Sequence, residues 1–298
     1  MSERKLKRNV SGWIILDKPY GMTSTQAVAK IRWLFGAEKA GHAGTLDPLA
    51  TGLLPIALGE ATKTVPFVQG GGKRYCFALE WGSATTTDDA EGSVSATSDV
   101  RPSEAELLAA LPRFTGTILQ RPPVFSAIKI AGERAYDLAR AGETVELAER
   151  PVTISELTLL THGADRSTFE MACEKGTYVR SLARDLAEAL GTRGHVTMLR
   201  RTAVAGFTEP DAVLVDAVEA AVDRDALLRP PAAALDHLPE LRMTPDQAAL
   251  LRNGGAILLR GAAAPIELTE AWASFNGRAL AIGAVRAGHF HPSRVLKA

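Results

Sequence analysis

A short segment rich in glycine, with one Asp-Pro pair near its centre, places the strongest constraint on the fold of this chain. It runs from Gly41 to Gly52 and reads GHAGTLDPLATG. Pro48 lacks a backbone donor and biases Asp47 away from the helical region, and the glycines allow sharp turns and the close approach of a ligand. The apolar run LLPIAL at residues 53–58 follows directly. The segment therefore predicts a stiff loop that is anchored in a core and carries one carboxylate.

Two interpretations of Asp47 are open at this point. An aspartate on a stiff loop is a candidate nucleophile or general base. An aspartate before a proline is also a common turn element without any catalytic role. The spacing by itself favours the turn.

Length and composition limit the class of protein. The 298 residues suffice for one large domain and a second small one. The sequence has no apolar run of about 18 residues, which a membrane span requires, and the basic residues 1–8 do not begin a signal peptide. Cys76 and Cys173 form no CxxC pattern and suggest no disulfide framework. We therefore expect a protein of the reducing cytoplasm.

The charge of the chain is balanced overall but unevenly distributed. Its 34 basic and 34 acidic residues give no net charge, which argues against a cationic nucleic-acid-binding surface. Residues 173–202 nevertheless hold six basic and three acidic side chains. Such segregation can focus a positive potential on one face, although a solvated surface of mixed charge is an equal alternative.

Hydrophobic periodicity and capping residues predict both strands and helices. We expect strands at residues 13–16, 74–81 and 168–173, and three helices: one capped by Ser24 and stopped by Gly36, one opened by the capping box that Ser103 starts, and one that begins at Thr177. These elements do not alternate as in a doubly wound sheet. The pattern favours an α+β fold with much antiparallel strand.

Two segments differ in composition from the rest. Residues 120–150 form an insertion rich in proline and charge, with a helix predicted over Glu133–Arg140, and resemble an arm over a site. A proline-rich segment near residue 230 then marks the approach to a small second domain. We expect the domains to span residues 1–238 and 239–298, the second with a helix that opens at Thr244 and ends at Asn253.

Several common enzyme classes lack their motifs in this sequence. It has no GxxxxGK[ST] phosphate loop, no GxGxxG after a strand and no GxSxG elbow. Its six histidines are scattered, so no metal site is expected. Arg180 is conspicuous because a cation in the first turn of a helix opposes the helix dipole. It is either a plain surface arginine or the partner of a carboxylate or phosphate group.

The Asp47 loop, together with several other segments, resembles the TruB family of tRNA pseudouridine synthases. The resemblance covers roughly residues 10 to 210 in order. The segments that carry it, besides residues 41–54, are DKP at 17–19, PVFSAIK at 123–129, RPV at 150–152, KGTYVRSL at 175–182 and LRRT at 199–202. The family's Thr-Asp-Thr loop appears here as TTT at residues 85–87, followed by Asp88 and Asp89.

The resemblance implies a pseudouridine-synthase fold, with a mixed, largely antiparallel sheet flanked by helices, and a small C-terminal PUA-like RNA-binding domain. It implies that uridine 55 in the T-loop of tRNA is isomerised to pseudouridine by base flipping, without a cofactor or metal. The expected partner is the T-arm of tRNA, with no guide RNA and no membrane, and the protein is expected to be a monomer. A role in tRNA folding is a further implication.

The resemblance also assigns roles to individual residues. Asp47 becomes the catalytic carboxylate and Arg180 its ionic partner. The resemblance places Tyr75 against the flipped uracil, Tyr178 near the sugar or base, Leu199 as an apolar wall and His42 in the space that the base vacates. Three lysines are expected to contact phosphates: Lys18, Lys63 and Lys129.

Residue chemistry alone leaves other interpretations open. Tyr75 and Leu199 are ordinary core residues by their type. The chain could be an RNA-binding or RNA-folding module, or a carboxylate-based glycosidase. A glycosidase normally needs two carboxylates around the scissile bond, and no motif ties a second one to Asp47.

Overall fold

The fold is organised around one large mixed sheet. The computed structural model describes residues 7–126, 128–130, 133–134 and 147–297. Within these residues, ten strands form the large sheet, whose main path has the order β14-β1-β3-β12-β4-β11-β10-β7, with β2 added beside β3 and β13 beside β12. Their bounds are β1 Gly12–Lys18, β2 Ala40–His42, β3 Ala50–Leu58, β4 Lys73–Trp81, β7 Gly116–Gln120, β10 Arg150–His162, β11 Arg166–Cys173, β12 Gly194–Val204, β13 Phe207–Thr208 and β14 Val213–Leu214. Two smaller hairpins pair β5 Ser83–Thr85 with β6 Val94–Thr97 and β8 Lys129–Ile130 with β9 Glu133–Arg134.

Helices cover both faces of this sheet. The α-helices are α1 Ser24–Phe35, α2 Val65–Gly70, α3 Glu104–Ala110, α4 Val179–Ala189, α5 Val215–Ala220 and α6 Pro245–Arg252. Short 3-10 helices span Gly59–Thr64, Leu111–Phe114, Glu209–Asp211, Asp225–Leu227 and Pro231–Ala234. Apart from the parallel pairs β1–β14 and β3–β12, the pairings in the large sheet are antiparallel. The predicted α+β class, with a mixed and largely antiparallel sheet, is confirmed.

The apolar run in β1 is buried on both sides of the sheet. Successive side chains in a strand point to opposite faces. Ile14 and Leu16 enter a large core with α1, α3 and α4, whereas Trp13 and Ile15 enter a second core with α2. The indole N–H of Trp13 donates to Thr64 Oγ1 at 3.0 Å, which satisfies its one polar atom.

Two predicted helix caps are displaced by one residue. Thr23, rather than Ser24, caps α1. Its side chain accepts from the Gln26 N–H, and the Gln26 side chain accepts from the Thr23 N–H, which completes a capping box. Tyr178, rather than Thr177, occupies the cap position of α4, and no side chain caps that helix. The caps predicted at Ser103 and Thr244 are confirmed.

A second sheet is drawn from the C-terminal residues. Its order is β15-β17-β18-β19-β16, with bounds β15 Glu240–Arg242, β16 Ile257–Leu258, β17 Leu268–Phe275, β18 Arg278–Arg286 and β19 His289–Val295. Leu235, Trp272, Ile282 and Leu296 form a core against which Phe67 packs, and this core joins the second sheet to the first part of the chain. In the described ranges, no helix is long and apolar enough to cross a membrane.

The insertion at residues 120–150 is described only in part. A helix was predicted over Glu133–Arg140, but Glu133 and Arg134 form β9, which pairs with β8. The predicted helix is therefore wrong at its first two residues, and residues 135–140 lie outside the described residues.

Gly52 pairs with Arg201 where the parallel strands β3 and β12 lie side by side. Its φ is +96°, and a Cβ atom there would lie 2.2 Å from the backbone oxygen of Arg201. Both the conformation and the space therefore require glycine.

We expect Gly52→Ala to lower the free energy of unfolding by at least about 2 kcal/mol, because it combines left-handed strain with a backbone clash. Gly41→Ala is the matched control, since a Cβ atom at Gly41 has no heavy atom within 4 Å and its φ is not positive. Urea unfolding of both variants checks this, and equal stabilities would contradict it.

Candidate active site

Asp47 occupies the first position of a tight turn. Its carbonyl oxygen accepts a hydrogen bond from the Ala50 N–H at 3.0 Å, with Pro48 at the second position. Asp and Pro are the residues that such a turn prefers at these two positions. Asp47 therefore forms a turn, and this turn also positions its side chain.

The loop is held from the side of β1 and α1. Ser24 Oγ donates to the Leu46 oxygen and accepts from the Leu46 N–H, both at 2.9 Å. Lys18 Nζ donates to the backbone oxygens of Pro19, Met22 and Pro48 at 3.0, 2.7 and 3.2 Å. Buried polar groups need hydrogen-bond partners. The buried Lys18 and Ser24 side chains find them in backbone carbonyl oxygens of the loop and its surroundings.

Arg201, which lies on β12, holds the other side of the loop. Its side chain is buried, and its Nε donates to the Leu53 oxygen at 2.7 Å. Its Nη atoms donate to the oxygens of Gly44 and Thr45 at 3.2 and 3.4 Å. One guanidinium group thus joins the two ends of the loop around Asp47.

Arg180 is the ionic partner of Asp47. Its Nε lies 3.0 Å from Asp47 Oδ2, and its Nη1 lies 3.5 Å from Asp89 Oδ2. The remaining donors reach the oxygens of Thr87 and Phe125 at 2.9 and 3.0 Å. Two carboxylates compensate for the unfavourable position of this cation in the first turn of α4.

The two carboxylates differ in accessibility. The side chain of Asp89 is 8% exposed and that of Asp47 is 35% exposed. Asp89 also accepts from the Thr87 hydroxyl and the Glu91 N–H. Asp89 is therefore fully engaged inside the protein, and Asp47 is the carboxylate that faces outward.

A narrow pocket begins at Asp47. It has about 10 Å³ of free volume. Its lining consists of Asp47, Leu49, Ala50, Asp89, Arg180, Val196, Thr197, Met198 and Leu199. Three of the predicted site residues, Asp47, Arg180 and Leu199, therefore meet in one place.

Tyr75 and His42 lie near Arg201 rather than in the lining of this pocket. Tyr75 stands opposite Arg201 in the pairing of β4 with β12 and is 8% exposed. Burial raises the pKa of Tyr75. Burial, and then the charge of Arg201, lower the pKa of His42, whose Nδ1 is buried without a hydrogen-bond partner. Both causes favour the neutral form of the His42 imidazole.

Tyr178 is held at the start of α4. Its backbone N–H donates to Gln120 Oε1 at 2.8 Å, and its backbone carbonyl oxygen accepts from Gln120 Nε2 at 3.1 Å. The guanidinium carbon of Arg150 lies 5.4 Å from the centre of its ring. These contacts fix Tyr178 at the base of the insertion.

The predicted phosphate-binding lysines have different surroundings. Lys18 is buried, and carbonyl oxygens take its three donors, so it is not available to a phosphate group. Lys63 Nζ donates to Glu60 Oε2 and to the Val295 oxygen, both at 2.7 Å, and so links the first part of the chain to β19. Lys129 lies on β8, but its side chain is outside the described residues.

Ion pairs engage much of the basic segment at residues 173–202. Four of its arginines are in ion pairs, namely Arg180, Arg184, Arg193 and Arg200. Arg200 joins two sequence motifs, since its Nη atoms donate to both carboxylate oxygens of Asp17 at 3.0 and 2.8 Å. The charge that this segment carries is largely neutralised by tertiary partners.

Asp89 and Arg201 are site residues that the sequence analysis did not assign. The one signal for Asp89 was its place directly after the TTT segment at residues 85–87. Arg201 had no signal of its own, because its role is visible only once β12 lies beside the loop. In the part of the chain that the structure describes, no group of three His, Cys, Asp or Glu side chains could hold a metal ion.

Comparison with known proteins identifies the family. The model of the TruB family pseudouridylate synthase N-terminal domain matches residues 32–179, and that of the tRNA pseudouridylate synthase B C-terminal domain matches residues 180–238. The chain is 53% identical to tRNA pseudouridine synthase B of Mesorhizobium japonicum, with 98% of each chain covered. The chain belongs to the TruB family. Its Bradyrhizobium diazoefficiens relative of the same name is 56% identical over 98% of this chain and 87% of the relative.

Solved structures support the fold of this TruB family member. A chain in the crystal structure of a Cbf5-Nop10-Gar1 complex is 27% identical, with a TM-score of 0.73 over 96% of this chain and 84% of that one. A chain in the structure of an H/ACA RNP bound to a substrate RNA containing 2′-deoxyuridine is 24% identical, with a TM-score of 0.74, and shares the fold. Family membership makes the protein a pseudouridine synthase, which is an isomerase.

The buried ammonium of Lys18 predicts a pH dependence of stability in this TruB family member. Burial lowers its pKa from 10.5 to about 8, and the nearby Asp47 carboxylate opposes that shift. Between these two values the unfolded chain binds more protons than the folded protein, so the contribution of Lys18 to stability rises with pH.

The free energy of unfolding of the wild type, minus that of Lys18→Met, should therefore increase from pH 7.5 to 10.5, by on the order of 3 kcal/mol. Denaturant unfolding at several pH values measures this difference. Lys39→Met, at an exposed lysine, controls for the loss of one charge. A difference that does not change with pH would contradict the burial of a charged Lys18.

Proposed function

We propose that this protein converts uridine 55 in the T-loop of tRNA into pseudouridine, with Asp47 as the catalytic residue. The observation that carries the proposal is the Asp47 carboxylate, which a buried arginine holds at the mouth of a pocket in a member of the TruB family. The curated relatives named tRNA pseudouridine synthase B support tRNA as the substrate.

The reaction is an isomerisation that needs no redox partner. The bond between N1 of uracil and C1′ of the ribose breaks, the uracil turns while it is held, and C5 bonds to C1′. The proton on C5 leaves and N1 gains one, so atoms and charge balance. Asp47 attacks the sugar, attacks the base or takes the C2′ proton, and each of these roles requires an ionised carboxylate.

Arg180 holds the Asp47 carboxylate in one orientation. Its Nε lies 3.0 Å from Asp47 Oδ2. Because Arg180 is itself fixed by Asp89 and by two backbone oxygens, the Asp47 side chain has a rigid partner. This rigidity suits a group that must meet a single atom of the nucleoside.

The target base must leave the RNA loop to reach Asp47. The enclosed space of about 10 Å³ holds roughly one water molecule, and we infer that the pocket widens to admit a pyrimidine when RNA binds. Enzymes that act on a base take it out of its stack in this way. We assign Leu199 to the wall of the widened pocket, Tyr75 and Tyr178 to the base and sugar, and His42 to the gap in the T-loop.

The structure offers a second carboxylate, but its surroundings do not favour a glycosidase. Such an enzyme needs two carboxylates on either side of the scissile bond. Asp89 is buried and bonded to Arg180, Thr87 and Glu91. We therefore assign Asp89 to the orientation of Arg180.

The proposal extends to partners and location. We propose that a cytoplasmic monomer binds the T-arm of tRNA without guide RNA, with residues 239–298 as a PUA-like RNA-binding domain and Lys129 among the phosphate contacts. Activity of the purified protein alone on a tRNA transcript tests the absence of a guide, and sedimentation of the complex tests its stoichiometry.

We expect Asp47→Asn to lower the rate of pseudouridine formation by about 100-fold or more, since the reaction loses its charged carboxylate. Its tRNA affinity should stay within a few fold, because phosphate contacts dominate RNA binding. Single-turnover assays and filter binding measure the two quantities. Asp165→Asn is the control, since it removes one carboxylate from a surface ion pair with Arg101. Full activity of Asp47→Asn would refute the catalytic role.

The site of modification is tested separately. A tRNA transcript should gain one pseudouridine at position 55, and a transcript with cytidine at that position should gain none there. Mapping of the modified nucleotides measures both. A product at another position would refute the uridine 55 assignment and leave the synthase activity intact.

A further inference from the structure

Thr197 stands at an irregular point of the central strand β12. The pairing of β12 with β4 passes from Val196 directly to Met198, so Thr197 has no partner residue on β4. A residue left over in this way marks a β-bulge. Bulges next to active sites re-aim a side chain, and Thr197 lines the pocket that Asp47 and Arg180 share.

The hydroxyl of Thr197 has no hydrogen-bond partner in the protein. Its Oγ1 is buried although the residue as a whole is only partly so. An unpaired buried hydroxyl destabilises the folded protein, because it has lost water and gained no other partner. Such a group at an active site is consistent with a partner that arrives with the substrate.

A second bulge on the same strand provides a comparison. The pairing of β12 with β4 also skips Thr202, and its Oγ1 is likewise buried and unpaired. Thr202 does not line the pocket of Asp47. The two threonines share residue type, strand and local irregularity, and they differ in whether they line that pocket.

We propose that Thr197 is a substrate-contacting residue whose hydroxyl hydrogen-bonds to a polar edge of the target uracil. This inference rests on the proposed function. When the pocket widens for the base, the buried hydroxyl meets a pyrimidine edge that offers carbonyl oxygens and an N–H group. A hydroxyl can donate to the former or accept from the latter.

The energetic consequence follows from the state of the free enzyme. Most hydrogen bonds to a ligand replace bonds to water, which reduces their net effect. The Thr197 hydroxyl has no protein bond to give up and little access to water. Its bond to the base therefore forms at little cost and favours the complex in which the base is inside the pocket.

The test uses Thr197→Val, which removes the hydroxyl and keeps the shape, Thr197→Ser, which keeps the hydroxyl, and Thr202→Val as the matched control. We expect Thr197→Val to lower kcat by roughly tenfold, the effect of one hydrogen bond, with the Kd for tRNA unchanged. Thr197→Ser should retain kcat within about threefold of the wild type, and Thr202→Val should be unaffected. The melting temperatures of both valine variants should equal or exceed that of the wild type, because each loses an unpaired buried hydroxyl.

Opposite changes in activity and stability are the distinctive result. Wild-type kcat in Thr197→Val would overturn the inference. So would a kcat of Thr197→Ser as low as that of Thr197→Val, or an equal loss of kcat in Thr202→Val. A melting temperature of Thr197→Val below that of the wild type, together with the loss of activity, would also overturn it. The proposed function is judged on the wild type alone, by whether it forms pseudouridine at position 55. If it does not, both the function and this inference fail.

Discussion

The buried guanidinium of Arg201 is the contact on which the geometry of the site depends. A cation removed from water must be surrounded by acceptors, and here the acceptors are backbone oxygens on both sides of the Asp47 turn. The loop therefore cannot shift without exposing a buried charge. The backbone of the same residue explains Gly52, which pairs with Arg201 across β3 and β12 and where a side chain would collide with that backbone.

A second arginine has a separate task. Arg201 donates to backbone oxygens on both sides of the turn and so shapes the loop, whereas Arg180 pairs with carboxylates and so orients the Asp47 side chain. The two cations come from elements that are consecutive in the chain, α4 and β12. Arg201 thus holds the backbone around Asp47, and Arg180 pairs with its carboxylate, which remains partly open to solvent.

Local chemistry made part of this arrangement predictable. The turn at Asp47 follows from the preferences of aspartate and proline. A carboxylate or phosphate partner for Arg180 was one of the two interpretations of its unfavourable place at the start of a helix. The caps at Ser103 and Thr244 are equally local. The shift from Ser24 to Thr23 has a tertiary cause, since the Ser24 hydroxyl binds Leu46 across the site.

Tertiary pairing explains what the sequence could not show. A count of charges at residues 173–202 left a positive face and a surface of mixed charge as equal alternatives, because it could not show that some arginines have acidic partners far away in the chain, such as Asp17 for Arg200. Asp89 joins the site because its loop packs against α4 and β12. The bulge at Thr197 depends on how two strands align, which no local pattern encodes.

The most direct test of this account is a crystal structure of Asp47→Asn bound to an unmodified tRNA. The variant should hold the substrate without converting it. We predict that uridine 55 is turned out of the T-loop, with its ribose beside residue 47, its base against Leu199 and the Arg201 contacts to the loop unchanged. A uridine 55 that stays stacked in the T-loop, or a base bound away from residue 47, would contradict the account.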